Sequence, residues 1–170
     1  MITTDTSIYE FKNSDEINSW RIVNDGVMGG LSQSKVTWNE KENTLDFSGK
    51  VSLENNGGFA SVRAIPQNFN QKVFKKIKLR VKGDGKIYQF RMRSTRNFDG
   101  ISYTLDFETD KDKWEEIELE VEDFDPTFRG RVYPQYGKFK SSELQQIGIL
   151  IANKQVGKFH LEIDWIRVEQ

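Results

Sequence analysis

The chain has 170 residues, 25 of them basic and 26 acidic, so its net charge at pH 7 is −1. This balance argues against a nucleic-acid-binding protein, which usually carries an excess of Lys and Arg. The chain has no cysteine, which excludes disulfides, thiolate nucleophiles and cysteine-ligated metal sites. The longest apolar run, Ile147 to Ala152, is far shorter than the roughly 20 residues of a membrane-spanning helix, so no transmembrane segment is predicted.

The first residues, Met1 to Thr6, carry neither a basic region followed by apolar residues nor an Arg-rich, acid-poor composition. Neither a secretory signal peptide nor an organelle transit peptide is therefore predicted, and a cytoplasmic location is expected. The length suits one domain, which we expect to span residues 1–170.

Apolar and polar residues alternate along most of the chain, as in strands that bury one face. In chain order, the alternation predicts strands at Ile8–Phe11, Lys35–Trp38, Thr44–Phe47, Phe59–Arg63, Ile77–Val81, Tyr88–Met92, Ile101–Phe107, Ile117–Val121 and Phe159–Trp165. Helical turns are predicted only at Asn13–Ser19 and Ser141–Gln146, which begin with capping-type residues. The pattern predicts an all-β protein, a single antiparallel β-sandwich with one or two short helical turns.

The connections between these strands contain typical turn residues. Gly83-Asp84-Gly85 lies between two predicted strands and suits a hairpin turn that needs positive φ. The segment Asp123 to Lys140 contains Pro126 and Pro134 and is predicted to be an irregular loop, a kind of segment that is often functional or mobile.

Charge predicts one strand pairing. The outer positions of Lys76–Lys82 are basic, and those of Glu116–Glu122 are acidic at matching spacing. Opposite charges on neighbouring strands stabilise a sheet, so these strands are expected to be neighbours, with two independently solvated faces as the alternative.

Catalytic residues do not form a recognisable set. The single histidine, His160, is predicted on the outward side of the last strand beside Glu162, where an exposed histidine most often has no role. No zinc-type ligand set and no G-x-S-x-G motif is present. The chain is therefore predicted not to be an enzyme and to need no cofactor, although Arg91, Asp106 and His160 offer reactive groups. A calcium ion bound by oxygen ligands such as Asp5, Asp25 or Asp164 stays open.

Several glycine-containing strings along the chain are unusual. Three strings are Asn24-Asp25-x-Val27-Met28-Gly29-Gly30-x-Ser32, then Gly57-Gly58-Phe59, and finally Lys154-Gln155-x-Gly157-x-Phe159. A further unusual segment, Phe124-Asp125-Pro126-Thr127-Phe128-Arg129-Gly130-Arg131, lies between the last two. In this order, from about Phe11 to Val168, the chain resembles the complex I intermediate-associated protein 30 family.

The resemblance implies a galactose-binding-domain-like jelly roll, an architecture that is also similar to certain carbohydrate-binding modules. Mitochondrial members of the family are chaperone-like assembly factors for respiratory complex I (NADH:ubiquinone oxidoreductase) and not enzymes. Because no leader segment is predicted, this chain is expected to be a bacterial-type version.

The residues of these strings are expected to do mainly structural work in tight turns. They are Asn24, Asp25, Met28, Gly29, Gly30, Ser32, Gly57, Gly58 and Phe59. Replacing Gly29 by Val is expected to destabilise the fold if its φ is positive. The alternative is that these loops form part of a binding rim.

Two binding hypotheses follow. A protein partner is expected to use an apolar patch, and the best candidate is the 123–140 loop, with Phe128 and Tyr136 among its aromatic residues. These aromatic side chains would otherwise close one end of the sandwich.

A carbohydrate or small anion is expected to use a polar sheet face instead. If Ile87–Thr109 forms a hairpin, Gln89, Arg91 and Arg93 lie beside Ser102, Thr104 and Asp106, and Arg63 and Arg129 can join them. Guanidinium groups and hydroxyls suit anionic or polyol ligands. The alternative is a solvated face in which an arginine pairs with Asp106.

Overall fold

The structure is a computed structural model that describes residues 5–24, 30–67, 69 and 73–170. In these ranges the chain forms thirteen strands: β1 (Asp5–Tyr9), β2 (Trp20–Ile22), β3 (Gln33–Asn39), β4 (Thr44–Val51), β5 (Ala60–Ala64), β6 (Lys76–Lys82), β7 (Ile87–Arg93), β8 (Ser102–Glu108), β9 (Trp114–Glu120), β10 (Asp125–Phe128), β11 (Arg131–Val132), β12 (Gln146–Ile151) and β13 (Gly157–Glu169). Short 3₁₀ turns lie at Ser14–Ser19, Glu54–Asn56, Val121–Asp123, Pro134–Tyr136 and Ser141–Glu143.

The strands form two sheets. The first has the order β3-β4-β13-β6-β9, with β1 paired to the end of β13. The second has the order β11-β10-β8-β7-β12-β5-β2. The pairings between these strands are all antiparallel, so the fold is the predicted antiparallel β-sandwich.

Alternate side chains of both sheets fill a common core. On β6, Ile77, Leu79 and Val81 are buried while the residues between them are partly exposed. Phe47 of β4 and Phe90 of β7 are fully buried, and each large apolar side chain contributes about 1.5–3 kcal/mol by leaving water. On β6 the period-2 pattern thus places one face in the core and leaves the other partly exposed. In the second sheet, by contrast, all six residues of β12 are buried.

The nine strands predicted from alternation are confirmed, and the apolar run at 147–152 forms most of β12. Both predicted helical turns are confirmed as 3₁₀ turns. Two predictions are wrong. Gly83-Asp84-Gly85 does not close a hairpin, because β6 belongs to the first sheet and β7 to the second. The segment 123–140 is not wholly irregular, because β10 and β11 add two short strands to the edge of the second sheet.

The pairing of the two charged strands is confirmed. Lys76 lies opposite Glu120, Lys78 opposite Glu118, and Arg80 opposite Glu116. The Lys76 Nζ lies 3.4 Å from a Glu118 carboxylate oxygen and 3.5 Å from one of Glu120. Alternating charge thus identified the correct neighbour for β6 on one side.

Candidate binding sites

A row of side chains crosses the outer face of the second sheet. Gly148 on β12 lies opposite Arg63 of β5 on one side and opposite Arg91 of β7 on the other. Thr104 of β8 continues the row beyond Arg91. Arg93 lies two residues further along β7, on the same face, opposite Gln146. A depression lies between the arginines and Gly148; its volume is about 270 Å³ including space open to solvent, but its enclosed part is only about 10 Å³, the size of one water molecule.

The backbone of the loop after β7 holds two of these arginines. The Phe98 carbonyl oxygen accepts hydrogen bonds from Arg63 Nη1 at 2.6 Å and from Arg93 Nη1 at 2.7 Å. The Arg63 guanidinium also stacks on the Phe98 ring, 4.8 Å from its centroid. The loop itself is anchored by the buried Gln146, whose Nε2 donates to the carbonyls of Thr95 and Asn97.

The third arginine is held from the opposite side. Arg91 Nε donates to Gln89 Oε1 at 2.8 Å, and Gln89 Nε2 donates to Asp106 Oδ1 at 3.0 Å. The predicted hairpin of β7 and β8 therefore exists, and it places Gln89, Arg91 and Arg93 beside Thr104 and Asp106.

These three arginines carry charge without a close counterion. Within the described residues, no carboxylate oxygen lies within 4.0 Å of their nitrogens. Burial, and then the neighbouring guanidinium groups, lower the pKa of Arg91 to about 10. Burial and Arg93 likewise lower the pKa of Arg63 to about 10. Even so, all three stay protonated at neutral pH.

Other predicted site residues lie apart from this cluster. Arg129 is exposed, stacks on the Phe128 ring and pairs with Asp99 at 3.6 Å. Tyr136 is exposed, and its carbonyl accepts a hydrogen bond from the Tyr103 hydroxyl. Phe124 and Phe139, two further aromatic residues of the 123–140 segment, are buried in the core. The aromatic patch predicted for this segment is therefore reduced to the partly exposed Phe128 and Tyr133 and the exposed Tyr136.

The described parts of the three unusual strings border one rim of the sandwich. Asn24 Oδ1 accepts hydrogen bonds from Ser34 Oγ at 2.8 Å and from the Ser61 amide at 3.3 Å. Ser32 Oγ accepts a hydrogen bond from the Ser52 amide at 2.9 Å. The side chain of Leu53 lies over Gly58, whose φ is +138°. The predicted structural role of these residues stays a prediction, and the predictions for Asp25, Met28 and Gly29 lie outside the described residues.

Three exposed aliphatic side chains line a groove at this rim. They are Leu31, Leu53 and Val156, which are 50%, 44% and 55% exposed, and the groove has a volume of about 1120 Å³, including space open to solvent. Gly30 precedes Leu31, and Gly57 and Phe59 flank Gly58. None of these aliphatic residues was among the predicted site residues, although Leu31 and Val156 lie within two of the strings.

One group of side chains has metal-ligand chemistry. Ligand atoms of Asp46, His160 and Glu162 lie within 4.8 Å of one another. The charges there already have partners, because His160 Nε2 lies 3.6 Å from Asp46 and Lys82 Nζ lies 3.2 Å from Glu162. The three side chains therefore already take part in ion pairs with one another and with Lys82.

The candidate calcium ligands lie elsewhere. Asp5 and Asp164 pair with Lys78 and Arg80, and Asp25 is outside the described residues. A structural calcium ion stays a prediction.

The family model for complex I intermediate-associated protein 30 matches residues 9–163. The chain belongs to this family. The mouse mitochondrial protein of that name is 25% identical over 95% of this chain and 55% of its own length. The probable Caenorhabditis briggsae homologue is 27% identical over 94% of this chain and 53% of its own length. The chain thus spans about half the length of the curated relatives that it matches.

Solved structures with the same fold are carbohydrate-binding modules. A family 11 module from Clostridium thermocellum, solved with a mixed-linked β-1,3-1,4 tetrasaccharide, has a TM-score of 0.71 over 99% of this chain and 96% of its own. The family 11 module of the same organism's cellulosomal cellulase Lic26A-Cel5E has a TM-score of 0.72, over 99% and 95% of the two chains. Both are 16% identical to this chain, a level that establishes the galactose-binding-like β-sandwich and not the ligand.

The prediction of a cytoplasmic location is wrong, because the family relatives are mitochondrial proteins by name. Among the described residues, no helix has both the length and the hydrophobicity to cross a bilayer.

Proposed function

We propose that this chain is a non-catalytic binding domain that associates with a protein intermediate of respiratory complex I. Membership of the complex I intermediate-associated protein 30 family carries the proposal. The relatives are named for association with such intermediates. A reactive constellation is also missing from the surfaces described above, since the arginines, His160 and its acidic neighbours are not arranged around a common substrate position.

The surface that suits a protein partner best is the rim groove of Leu31, Leu53 and Val156. Exposed apolar side chains that gather in one place are typical of protein interaction sites, whereas single ones are ordinary. Here three of them line one groove. The 123–140 segment, by comparison, has lost two of its aromatic residues to the core.

The residues that line the rim groove also suit contact with an apolar segment of the partner. Polar and charged side chains, Gln33, Lys50, Ser52 and Glu54, line the groove together with the aliphatic ones, a combination that is common in protein interfaces. Leu31 and Val156 each lie within one of the strings on which the family resemblance rests, so the groove includes residues of two of those strings.

A charge placed in the groove tests this assignment. Leu53→Asp or Val156→Asp exposes no core residue but puts a carboxylate where the partner must bury apolar atoms, which usually costs at least about tenfold in affinity. The matched control is Val132→Asp, because Val132 is similarly exposed but lies on β11 at the far edge of the second sheet.

The measurement is quantitative mass spectrometry of complex I subunits that co-purify with tagged chain from cells containing it. We expect complex I subunits with the wild type and with Val132→Asp, and a loss of about tenfold or more with either rim variant. Recovery of no complex I subunit, or equal loss with all three variants, contradicts the proposal.

A further inference from the structure

Three neighbouring arginines on the second sheet are withdrawn from solvent without a carboxylate within 4.0 Å in the described residues. They are Arg63, Arg91 and Arg93. Arg93 is only 6% exposed, and Arg63 and Arg91 are partly buried. Removing a charged group from water is unfavourable unless an opposite charge compensates for it. Here the neighbouring charges are positive, and they oppose one another.

Nearby acidic residues do not neutralise the cluster. Asp99 acts on Arg63 and Arg93 only from a distance, because its carboxylate pairs with Arg129. Asp106 is exposed, and its carboxylate accepts a hydrogen bond from Gln89 and not from Arg91. The cluster therefore keeps a strong positive potential at the depression above Gly148.

The arginines also keep hydrogen-bond donors for a ligand. Within the described part of the chain, Arg91 uses only its Nε, so both of its terminal nitrogens lack a protein acceptor. Arg63 and Arg93 each use one terminal nitrogen. A guanidinium group offers two parallel N–H donors that match the oxygens of a carboxylate or phosphate.

The site is held in place before any ligand arrives. The Phe98 carbonyl fixes two guanidinium groups, Gln146 fixes the loop that carries Phe98, and Gln89 fixes Arg91. Donors that are already positioned lose little conformational freedom on binding. Gly148 allows the Arg63 side chain to pack closely against β12, since a Cβ there would lie 3.0 Å from the Val62 carbonyl oxygen and 3.3 Å from Arg63 Cγ.

We propose that Arg63, Arg91 and Arg93 bind a ligand through its phosphate or carboxylate group, which sits over Gly148 on the outer face of the second sheet. The enclosed part of the depression holds about one water molecule, so the anionic group lies at its mouth against the three guanidinium groups, and the rest of the ligand lies along the polar row towards Thr104. This site is separate from the rim groove, and neither proposal depends on the other.

Removal of the Arg91 charge tests the site, because it is expected to keep or raise the melting temperature without phosphate and to reduce the stabilisation by phosphate. Arg91→Met keeps the length of the side chain but relieves repulsion, so in chloride its melting temperature is expected to equal or exceed that of the wild type. With inorganic phosphate at the same ionic strength, the wild type is expected to rise by about 2–5 °C, and Arg91→Met is expected to rise by less than half as much. Arg131→Met is the matched control, because Arg131 is an exposed arginine at the edge of the same sheet.

Backbone NMR shifts locate the binding and identify the anion. Titrations with inorganic phosphate, acetate and glucose are followed at the amides of Phe98 and Gly148. Stronger shifts with phosphate assign a phosphate group, and stronger shifts with acetate assign a carboxylate.

Shifts with glucose alone, or none with either anion, overturn the proposal. An equal phosphate response in Arg91→Met and Arg131→Met also overturns it. If Arg91→Met does not fold, Arg91→Lys serves instead, since it keeps the charge but loses the fork and is expected to bind about tenfold more weakly. Unchanged binding by Arg91→Lys would again contradict the site.

Discussion

His160 illustrates how a single residue can have a perturbed charge without a catalytic role. Its Nε2 lies 3.6 Å from Asp46, and its backbone amide donates to Asp84 at 2.9 Å. The hydrogen bond to Asp46 raises the pKa of His160 above its usual 6.5, more than burial lowers it, and Glu162 and Asp84 add to the rise. The residue therefore fits a half-exposed ion pair on the outer face of the first sheet.

Titration of this imidazole gives a direct check, because His160 is the only histidine. We expect its NMR-detected pKa to lie above 6.5 in the wild type and to fall towards 6.5 in Asp46→Asn. The raised pKa means that its stabilising effect is complete below about pH 6.5 and is lost as the pH rises through the folded-state pKa. Because the side chain is 51% exposed, this effect on unfolding free energy is expected to stay below about 1 kcal/mol. A wild-type pKa at or below 6.5 would refute the assignment.

Gly49 is a residue where close backbone approach leaves no room for a side chain. A Cβ at this position would lie 2.1 Å from the Gln33 carbonyl oxygen and 2.6 Å from Ser34 Cα, both on the neighbouring strand. Gly49→Ala is therefore expected to lower the unfolding free energy by about 1–3 kcal/mol or more, measured by urea denaturation. Ser48→Ala, one residue earlier in β4, is the control and should change stability by less than about 0.5 kcal/mol. Equal stability of both variants would contradict this reading.

Ion pairs between strands and in loops differ in how far they are withdrawn from water. Lys78 Nζ lies 3.1 Å from Glu169, and both side chains are largely withdrawn from water, whereas Lys113 and Asp110 are exposed and 4.0 Å apart. A double-mutant cycle on Lys78 and Glu169 is expected to give a coupling free energy of about 0.5–1 kcal/mol. The same cycle on Lys113 and Asp110 is expected to give a value near zero. Equal coupling in the two cycles would show that burial does not decide the strength of these pairs.

Alternation predicted most strands because each long strand buries one face, and that property is local. The short strands β10 and β11 were missed, since four and two residues are too few for a period to emerge and Pro126 argues against a strand. The hairpin at Gly83–Gly85 was wrong for a related reason. Two alternating segments joined by a short turn look the same in sequence whether they pair or cross between sheets.

The candidate site was predictable only in part. The pairing of β7 with β8 placed Arg91 beside Thr104 as expected, because the two strands are close in sequence. The junction of Arg63 with Arg91 depends on β12 lying between β5 and β7, with Gly148 in register with both. Such long-range register has no local signal, and Arg129, which looked equivalent in sequence, lies outside the cluster.

Although the net charge of the protein is nearly zero, its surface has local charged and apolar regions. The arginine cluster lies on the second sheet, while a groove on the first sheet, of about 1370 Å³ including open space, is lined by Lys35, Lys50, Lys86, Lys111 and Lys158. The apolar rim is distinct from the arginine cluster. Because these surfaces are assembled from distant strands, overall composition could exclude a uniformly basic protein but not local patches.

The proposed function requires that the rim groove of Leu31, Leu53 and Val156 contacts a complex I intermediate. Photo-crosslinking tests it most directly, with a crosslinking residue in place of Val156 and, as the control, in place of Val132. We predict crosslinks to a complex I subunit from position 156 and none from position 132. Crosslinks to the same subunit with equal yield from both positions, or from position 132 alone, would contradict the account.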